Sequence, residues 1–162
     1  MKAALRKTVR ARCALADHDN YTDAYLRDIL IKTKSIAIVG ASDNPGRDSN
    51  RVLRFLLGRG YRVSAVNPKL AGQEIAGAPV YATLADVPDP IDMVDVFRNN
   101  AAVPGLVDEV VALLQHPKFL WMQLGVRDDE AARKAEAAEI AVIMNRCPAI
   151  EIPRLFGGQH NG

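Results

Sequence analysis

The strongest constraint on the fold of this chain is an alternation of short apolar runs with longer amphipathic stretches. The first run, residues 35–40 ("SIAIVG"), is rich in β-branched residues and stops at a glycine, which is typical of a strand buried on both faces. Further runs of this kind are "YRVSAVNP", "IDMVDVF", "KFLWMQLG" and "AVIMN". Strands that alternate with helices of ten or more residues pair in parallel. We therefore predict a single α/β domain with a Rossmann-like, doubly wound, mainly parallel sheet in a three-layer αβα arrangement.

The helix patterns complete this arrangement. A stretch that Asn20 or Thr22 can cap, "TDAYLRDILIKT", precedes the first strand, and "SNRVLRFLLGRG" follows it. Two more helices are predicted at "AAVPGLVDEVVALLQH" and "DDEAARKAEAAEI". After the second strand, a segment rich in glycine, proline and alanine is predicted to form a short strand, "APVY", and a helical turn, "TLADV", that Thr83 can cap.

Composition limits the classes of function that the chain can serve. At 162 residues it has the length of one domain, and 21 Lys and Arg residues nearly balance 19 Asp and Glu. Such a balance, without a basic face interleaved with aromatic residues, argues against nucleic acid as a partner. The apolar runs fall far short of the roughly 18 residues that span a bilayer. Cys13 and Cys147 fit no zinc-ligand spacing and are too few for a disulfide framework, so we expect a cytoplasmic protein without a metal site.

The chain opens with a basic stretch, "MKAALRKTVRARCALA", in which no acidic residue precedes Asp17. It has the charge of a transit peptide but lacks a long apolar core, and its composition favours a flexible extension. We predict a basic, flexible arm over residues 1–18, a folded domain over residues 19–156 and a flexible tail, "GGQHNG", over residues 157–162.

The loop after the first strand has the features of an anion site. In a doubly wound sheet, ligands bind beyond the carboxyl ends of the strands, beside the first strand, where the strand order reverses. Gly40 lies at that end, and its missing side chain lets a phosphate approach the backbone. The helix that starts near Ser49 points its free N–H groups at the same place.

The same loop does not carry the dinucleotide fingerprint G-x-G-x-x-G. Ser42 occupies the second glycine position, and the next glycine is Gly46. At the end of the second strand, where an acidic residue would bind the ribose hydroxyls of NAD, the sequence reads "VNPK", with Asn67 and Lys69. A lysine at this place can pair with an additional phosphate on the ribose. The candidate ligands are therefore NADP and coenzyme A, which carries a 3′-phosphate.

The chain resembles the CoA-binding domain family in five segments, which occur in order as "VGASDNPGRDS", "VNPK", "VDVFRN", "WMQLG" and "MNRCPAIE". Members of this family are small Rossmann-like proteins related to the amino-terminal domain of the succinyl-CoA synthetase alpha subunit. The resemblance covers residues 36–155, which is nearly the whole predicted domain. It implies a stand-alone module that binds coenzyme A or an acyl-CoA.

The resemblance also implies which residues form the ligand site. The pyrophosphate would lie among Gly40, Ala41, Ser42, Arg47 and Ser49. The adenosine would be flanked by Asn67, Pro68 and Lys69, and Lys69 would face the 3′-phosphate. The adenine or the pantetheine arm would be bordered by Phe97 and Arg98, and the channel toward the thiol by Gln123, Leu124 and Gly125. Phe97 is equally suited to the core, whereas an arginine that ends a buried strand needs an anion or a carboxylate.

The sequence offers no paired nucleophile and base, so we predict a binding module without catalytic activity of its own. The ligases related to this family carry a phosphorylated histidine on a second domain, but His18, His116 and His160 all lie away from the predicted strand ends. Cys147 follows Arg146, a cation that can lower the pKa of the thiol, although a small buried core residue is the commoner role. The alternative function is an NADP-dependent oxidoreductase or a CoA-dependent transferase in the same cleft. A homodimer or an unidentified protein partner is also compatible with the sequence.

Overall fold

The structure of the chain is a computed structural model that describes residues 16–157. Within that range the helices are α1 (Asp23–Lys32), α2 (Asp48–Gly58), α3 (Val103–Ala112), α4 (Asp129–Ala137) and α5 (Pro148–Phe156). The strands are β1 (Ser35–Val39), β2 (Arg62–Val66), β3 (Glu74–Ile75), β4 (Ala78–Tyr81), β5 (Met93–Val96), β6 (Phe119–Met122) and β7 (Ala141–Ile143). Short 3-10 turns lie at Pro68–Leu70, Leu84–Asp86 and Asn100–Ala102.

The seven strands form one sheet in the order β3-β4-β2-β1-β5-β6-β7. All neighbours pair in parallel except β3 and β4, which form an antiparallel edge. The chain runs outward from β1 through β2 to β4 and then returns to place β5 on the other side of β1. The strand order therefore reverses between β1 and β5, and the predicted doubly wound sheet is confirmed.

Helices cover both faces of this sheet. One face packs against α1, α2 and α5, and the other packs against α3 and α4, so the core forms two apolar layers. Because both faces are covered, all five residues of β1 and all four residues of β5 and of β6 are buried. The apolar runs of the sequence thus form the centre of the sheet, as predicted.

The helix ends agree with the predicted caps at one of two positions. Thr22 caps α1 because its hydroxyl accepts a hydrogen bond at 3.1 Å from the amide three residues on. The prediction for Thr83 is wrong, because its hydroxyl donates instead to the Asp86 carboxylate at 3.0 Å and caps no backbone group. The predicted helical turn itself is present at Leu84–Asp86.

Two elements of the structure have no counterpart among the predictions. The last helix, α5, contains Pro153, a residue that disfavours a helix interior, and it is held by burying Ile152 and Leu155 against the sheet. The short strand β3 joins β4 through Ala76 and Gly77, which both adopt positive φ in a tight turn. In both cases tertiary packing or turn geometry overrides local propensity.

The last residues of the predicted amino-terminal arm pack against the folded domain. Residues 1–15 and 158–162, which hold most of that arm and nearly all of the predicted tail, lie outside the described residues. His18 contacts the domain, since its two ring nitrogens lie 2.6 Å from the Tyr21 hydroxyl and 2.6 Å from a Glu136 carboxylate oxygen. Within the described range, every helix is too short or too polar to traverse a lipid bilayer.

Candidate functional site

A cleft of about 1030 Å³ opens at the carboxyl ends of β1, β2 and β5, where the strand order reverses. Its walls are the loop after β1, the first turn of α2, the turn after β2 and one side of α3. We call this cavity the first cleft. Most of the residues predicted for the ligand site line it: Gly40, Ala41, Ser42, Arg47, Ser49, Asn67, Pro68, Lys69, Phe97 and Arg98.

The position of Gly40 needs a glycine because the end of β1 comes very close to the main chain that follows β5. Its φ of +82° lies in the region that disfavours any side chain. A Cβ atom built on Gly40 would lie 2.1 Å from the carbonyl oxygen of Phe97, far inside a van der Waals contact. The glycine therefore lets two neighbouring chain segments meet at the floor of the first cleft, whatever the cleft holds.

Polar side chains fix the shape of the loop after β1. The Ser42 hydroxyl accepts a hydrogen bond at 3.1 Å from the amide of Asn44, whose side-chain oxygen accepts one at 2.9 Å from the amide of Gly46. Asn50, which is fully buried, donates from its side-chain nitrogen to the Ser42 carbonyl at 2.9 Å. Sequence analysis did not single out Asn50, because only the folded loop brings it back to Ser42.

Asn67 links the loops that follow β1 and β2. Its side-chain nitrogen donates to the carbonyl oxygen of Ala41 at 2.8 Å, and its side-chain oxygen accepts from the amide of Lys69 at 2.9 Å. Both polar groups of the side chain therefore have partners within the protein. Asn67 thus lies in the wall of the first cleft and holds the two loops together.

The amino terminus of α2 faces the first cleft without a side-chain cap. Arg47 occupies the cap position, and its side chain makes no capping hydrogen bond. The amide of Asn50 donates to the carbonyl oxygen of Arg47 at 3.1 Å, whereas the amides of Asp48 and Ser49 have no hydrogen-bond partner among the described residues and are available to an anion. Asp48, in the same turn, forms an ion pair with Arg51. Ser49 is 5% exposed and lies in the wall of the cleft.

Three exposed cations, Arg47, Lys69 and Arg98, stand around the first cleft. Among residues 16–157, no ion pair involves any of them. Of the two partners expected for an arginine at the end of a buried strand, an anion or a carboxylate, the described residues supply no carboxylate to Arg98, which lies exposed. An acidic residue that sequence analysis missed, Glu109 of α3, lies in the opposite wall and accepts a hydrogen bond from the amide of Leu84 at 3.3 Å.

A second cleft of about 570 Å³ adjoins the first. It lies between α2 and α5, and it shares Asp48, Phe97 and Arg98 with the first cleft. Gln123 and Leu124, the residues predicted to line the channel toward the thiol, lie in its wall. Phe97 borders both cavities and also packs against the core.

Gly125, the remaining residue predicted for the site, lies in the wall of neither cleft. Its φ is +80°, and its amide donates a hydrogen bond to the side-chain oxygen of Asn145 at 2.7 Å. A positive φ favours glycine, so the turn after β6 accounts for this residue without a ligand.

A buried polar pair, Asp95 and Gln123, lies on the sheet beside the second cleft. The side-chain nitrogen of Gln123 donates to both carboxylate oxygens of Asp95, at 2.9 Å and 3.1 Å. Complete burial raises the pKa of Asp95 to about 7, although the hydrogen bond from Gln123 opposes the shift. The sequence places an aspartate in an apolar run, but it does not reveal a partner 28 residues later.

Cys147 lies in the wall of the second cleft at the start of α5, and it is 8% exposed. Burial raises the pKa of its thiol, although backbone N–H groups of α5 act in the opposite direction. Of the two roles considered for Cys147, the structure therefore supports the buried core residue, because the guanidinium of Arg146 lies 5.2 Å above the ring of Tyr21 and donates to a backbone carbonyl. The thiol is therefore the predominant form near neutral pH.

Neither a histidine nor a metal-binding cluster contributes to the two clefts in the described part of the chain. His18 binds Tyr21 and Glu136, and His116 contacts the carbonyl oxygen of Val111 at 2.8 Å. Over residues 16–157, no group of three or more His, Cys, Asp or Glu side chains is placed to hold a metal ion.

Comparison with known proteins gives a consistent result. The model of a family described as "CoA binding domain" matches residues 34–153. The uncharacterized protein YneT of Bacillus subtilis is 34% identical over 128 residues, which are 79% of this chain and 92% of that protein. A hypothetical protein from Pyrococcus horikoshii has a TM-score of 0.80 and 37% identity, over 88% of this chain and 97% of its own. An ADP-forming acetate–CoA ligase of Archaeoglobus fulgidus is 32% identical over 80 residues, which are 49% of this chain but only 11% of the ligase.

Proposed function

Since the chain belongs to the CoA-binding domain family, we propose that it binds coenzyme A or an acyl-CoA in the first cleft as a stand-alone module. The observation that carries this proposal is the set of three exposed cations, Arg47, Lys69 and Arg98, around a cleft at the point of strand reversal. Exposed cations without acidic partners favour an anionic ligand, and CoA carries a pyrophosphate and a 3′-phosphate.

Each part of CoA is assigned to a region of the two clefts. The pyrophosphate lies against the uncapped amino terminus of α2 and the loop after Gly40, where Arg47 neutralises charge. The adenosine lies over the turn after β2, so that its 3′-phosphate faces Lys69. The pantetheine arm passes over Phe97 toward Gln123, because Phe97 borders both clefts.

Ligase activity is not part of the proposal. The match to the acetate–CoA ligase covers only 11% of that enzyme, so the activity of the whole enzyme is not transferred to this chain. The two histidines in the described part of the chain have other partners, as given above. We propose that the module holds CoA for a process or partner protein that supplies any chemistry.

Calorimetric titration with CoA, dephospho-CoA, NADP and NAD tests the proposal. We expect CoA to bind more tightly than dephospho-CoA and both pyridine nucleotides. A thermal-shift assay provides a second readout, since a ligand at 100 times its dissociation constant stabilises a protein by about 2.7 kcal/mol. Stabilisation by none of the four compounds would show that the first cleft is not a nucleotide site.

The second candidate is an NADP-dependent oxidoreductase that uses the same cleft. Lys69 favours it as much as CoA, because a cation at the end of β2 can equally pair with the 2′-phosphate of NADP. Stabilisation by NADP without stabilisation by CoA would establish this alternative. We also propose a cytoplasmic location, because CoA and a free thiol such as that of Cys147 are both expected there.

A further inference from the structure

The second cleft extends well beyond the place that the proposed function gives to the pantetheine arm. Its volume of about 570 Å³ alone lies within the range of small-molecule sites. Apart from the entrance at Phe97 and Gln123, its wall is mainly apolar and includes Val52 and Phe55 of α2 and Val126 after β6. Val52 and Val126 are 6% and 7% exposed, so the inner wall of the cleft is an apolar surface.

The rim of the second cleft exposes large apolar side chains to solvent. Leu124 is 57% exposed and Ile150 is 52% exposed, and both line this cavity. Exposed apolar side chains that border an apolar cavity form a continuous patch, which marks a binding surface more often than isolated ones do. An apolar group that enters the cleft would cover these side chains as well as the inner wall.

Apart from Arg98, which lies where the two clefts join, the charged groups at the second cleft are already paired. Asp95 and Gln123 satisfy each other, and Asp48 pairs with Arg51 at the rim. Burial raises the pKa of Cys147 and keeps its thiol neutral. In the part of the cavity away from Arg98, between Val52, Val126 and Ile150, a charged or strongly polar group would therefore lose its hydration without gaining a partner, whereas a hydrocarbon chain would not.

The two clefts join over Phe97, Arg98 and Asp48, which line both of them. A ligand that fills the first cleft with its nucleotide can reach the second only with the end of its pantetheine arm, which carries the thiol. We propose that the second cleft holds an uncharged aliphatic acyl group joined to that thiol, so that the preferred ligand is an aliphatic acyl-CoA rather than free CoA. This inference rests on the proposed function and adds the class of acyl group.

Calorimetric titration with a series of thioesters tests the inference. The probes are CoA, acetyl-CoA, butyryl-CoA, hexanoyl-CoA and succinyl-CoA. We expect the affinity to rise roughly tenfold for every two added methylene groups, as the burial of hydrocarbon predicts. Succinyl-CoA should bind at least tenfold more weakly than butyryl-CoA, because its terminal carboxylate must leave water.

A matched pair of variants locates the acyl group. Ala149→Phe adds a ring to the wall of the second cleft and should abolish the gain with chain length, so that hexanoyl-CoA binds this variant no more tightly than CoA does. Ala137→Phe makes the same change at an exposed position of α4 and should keep the gain. Ile150→Ser, at a half-exposed position, removes part of the apolar rim without filling the cavity, so it reduces the gain even if Ala149→Phe does not fold.

Alkylation of Cys147 provides a readout that does not depend on affinity. In a Cys13→Ser background, iodoacetamide should label Cys147 slowly, and saturating hexanoyl-CoA should slow the labelling at least fivefold more than saturating CoA. Equal labelling rates in the two complexes would contradict the placement of the acyl chain in the second cleft.

The outcomes separate this inference from the proposed function. If CoA binds and chain length has no effect, the acyl site is overturned and the CoA module remains. If no CoA compound binds, the proposed function itself fails. If Ala149→Phe or Ile150→Ser instead converts a dimer into a monomer in analytical ultracentrifugation and leaves the chain-length gain unchanged, the apolar rim is an interface between two copies, which overturns the inference.

Discussion

Gly40 and Lys69 lie in the wall of the same cleft, but the structure gives each of them a different role. The main chain beyond β5 comes so close to Gly40 that a Cβ atom has no room. The side chain of Lys69 is exposed, and it forms no ion pair with the described residues. Substitution of the first residue should therefore change stability, and substitution of the second should change ligand affinity.

Lys69→Ala should weaken the binding of CoA and leave that of dephospho-CoA unchanged. The expected loss is about 1 kcal/mol, or roughly fivefold in the dissociation constant, because the ion pair with the 3′-phosphate is exposed to solvent. Calorimetric titration with both ligands measures it, and Lys32→Ala on α1 is the control for loss of an exposed lysine. An equal loss for both ligands would mean that Lys69 does not contact the 3′-phosphate.

Gly40→Ala should lower the free energy of unfolding by at least about 2 kcal/mol, because the new methyl group meets a carbonyl oxygen at a positive φ. Gly58→Ala, at the end of α2 with no atom within 4 Å of the added group, should raise it by roughly 0.5 kcal/mol. Urea denaturation of the two variants gives both values. Similar stabilities of the two variants would show that β1 and the segment after β5 can separate.

At the scale of elements, the predictions succeeded where burial determines the structure. Runs such as "SIAIVG" and "KFLWMQLG" predicted β1 and β6, because central parallel strands need apolar residues on both faces. They failed for α5, because a proline inside it argues against a helix and only the contacts of Ile152 and Leu155 with the sheet compensate. The shape of the loop after β1 also depends on Asn50 and Asn67, whose partners are known only after folding.

Thr22→Ala should lower the free energy of unfolding by about 1 kcal/mol, because α1 then loses the hydrogen bond that caps its first turn. Thr83→Ala is the matched control, since Thr83 occupies a cap position without capping a backbone group. Its effect should stay within about 0.5 kcal/mol, as is usual for exposed substitutions. Thermal or urea denaturation compares the two, and equal effects would contradict the assigned caps.

At the scale of the whole molecule, the clefts follow from the topology of the sheet. The reversal of strand order between β1 and β5 opens a space that neither neighbouring loop fills, and this could be predicted from the sequence. The second cleft could not, because it depends on α5 and on a polar pair that joins β5 to the residue after β6. The sequence alone thus located the first cleft and only the entrance to the second.

The buried carboxyl group of Asp95 should make the stability of the whole domain depend on pH. Its pKa is about 7 in the folded protein and about 3.9 in an unfolded chain. Below pH 4 the group is protonated in both states, and its contribution to stability is fully present. Between pH 4 and 7 the unfolded chain ionises first, so the free energy of unfolding falls, and above pH 7 the contribution is lost.

Asp95→Asn removes this dependence and keeps an acceptor for the Gln123 side chain. The variant should gain stability relative to the natural protein as pH rises from 4 to 8, by a few kcal/mol at most. Urea denaturation at several pH values measures this difference, and Asp86→Asn on the surface controls for the loss of one carboxylate. Parallel pH profiles for the natural protein and Asp95→Asn would show that Asp95 is already ionised in the fold at low pH.

Helix α2 forms a wall of both clefts. Its cap residue Arg47 and Ser49 border the first cleft, and Val52 and Phe55 border the second. Asp48 borders both of them. A shift of this helix must therefore change the contacts with the nucleotide in the first cleft and those with the acyl group in the second cleft at the same time. Selectivity for the nucleotide can change without selectivity for the acyl group only through the opposite wall of the first cleft, which is α3. Selectivity for the acyl group alone can change only through the opposite wall of the second cleft, which is α5. During divergence of such proteins, new ligand preferences should therefore arise in those two helices, while α2 stays constant.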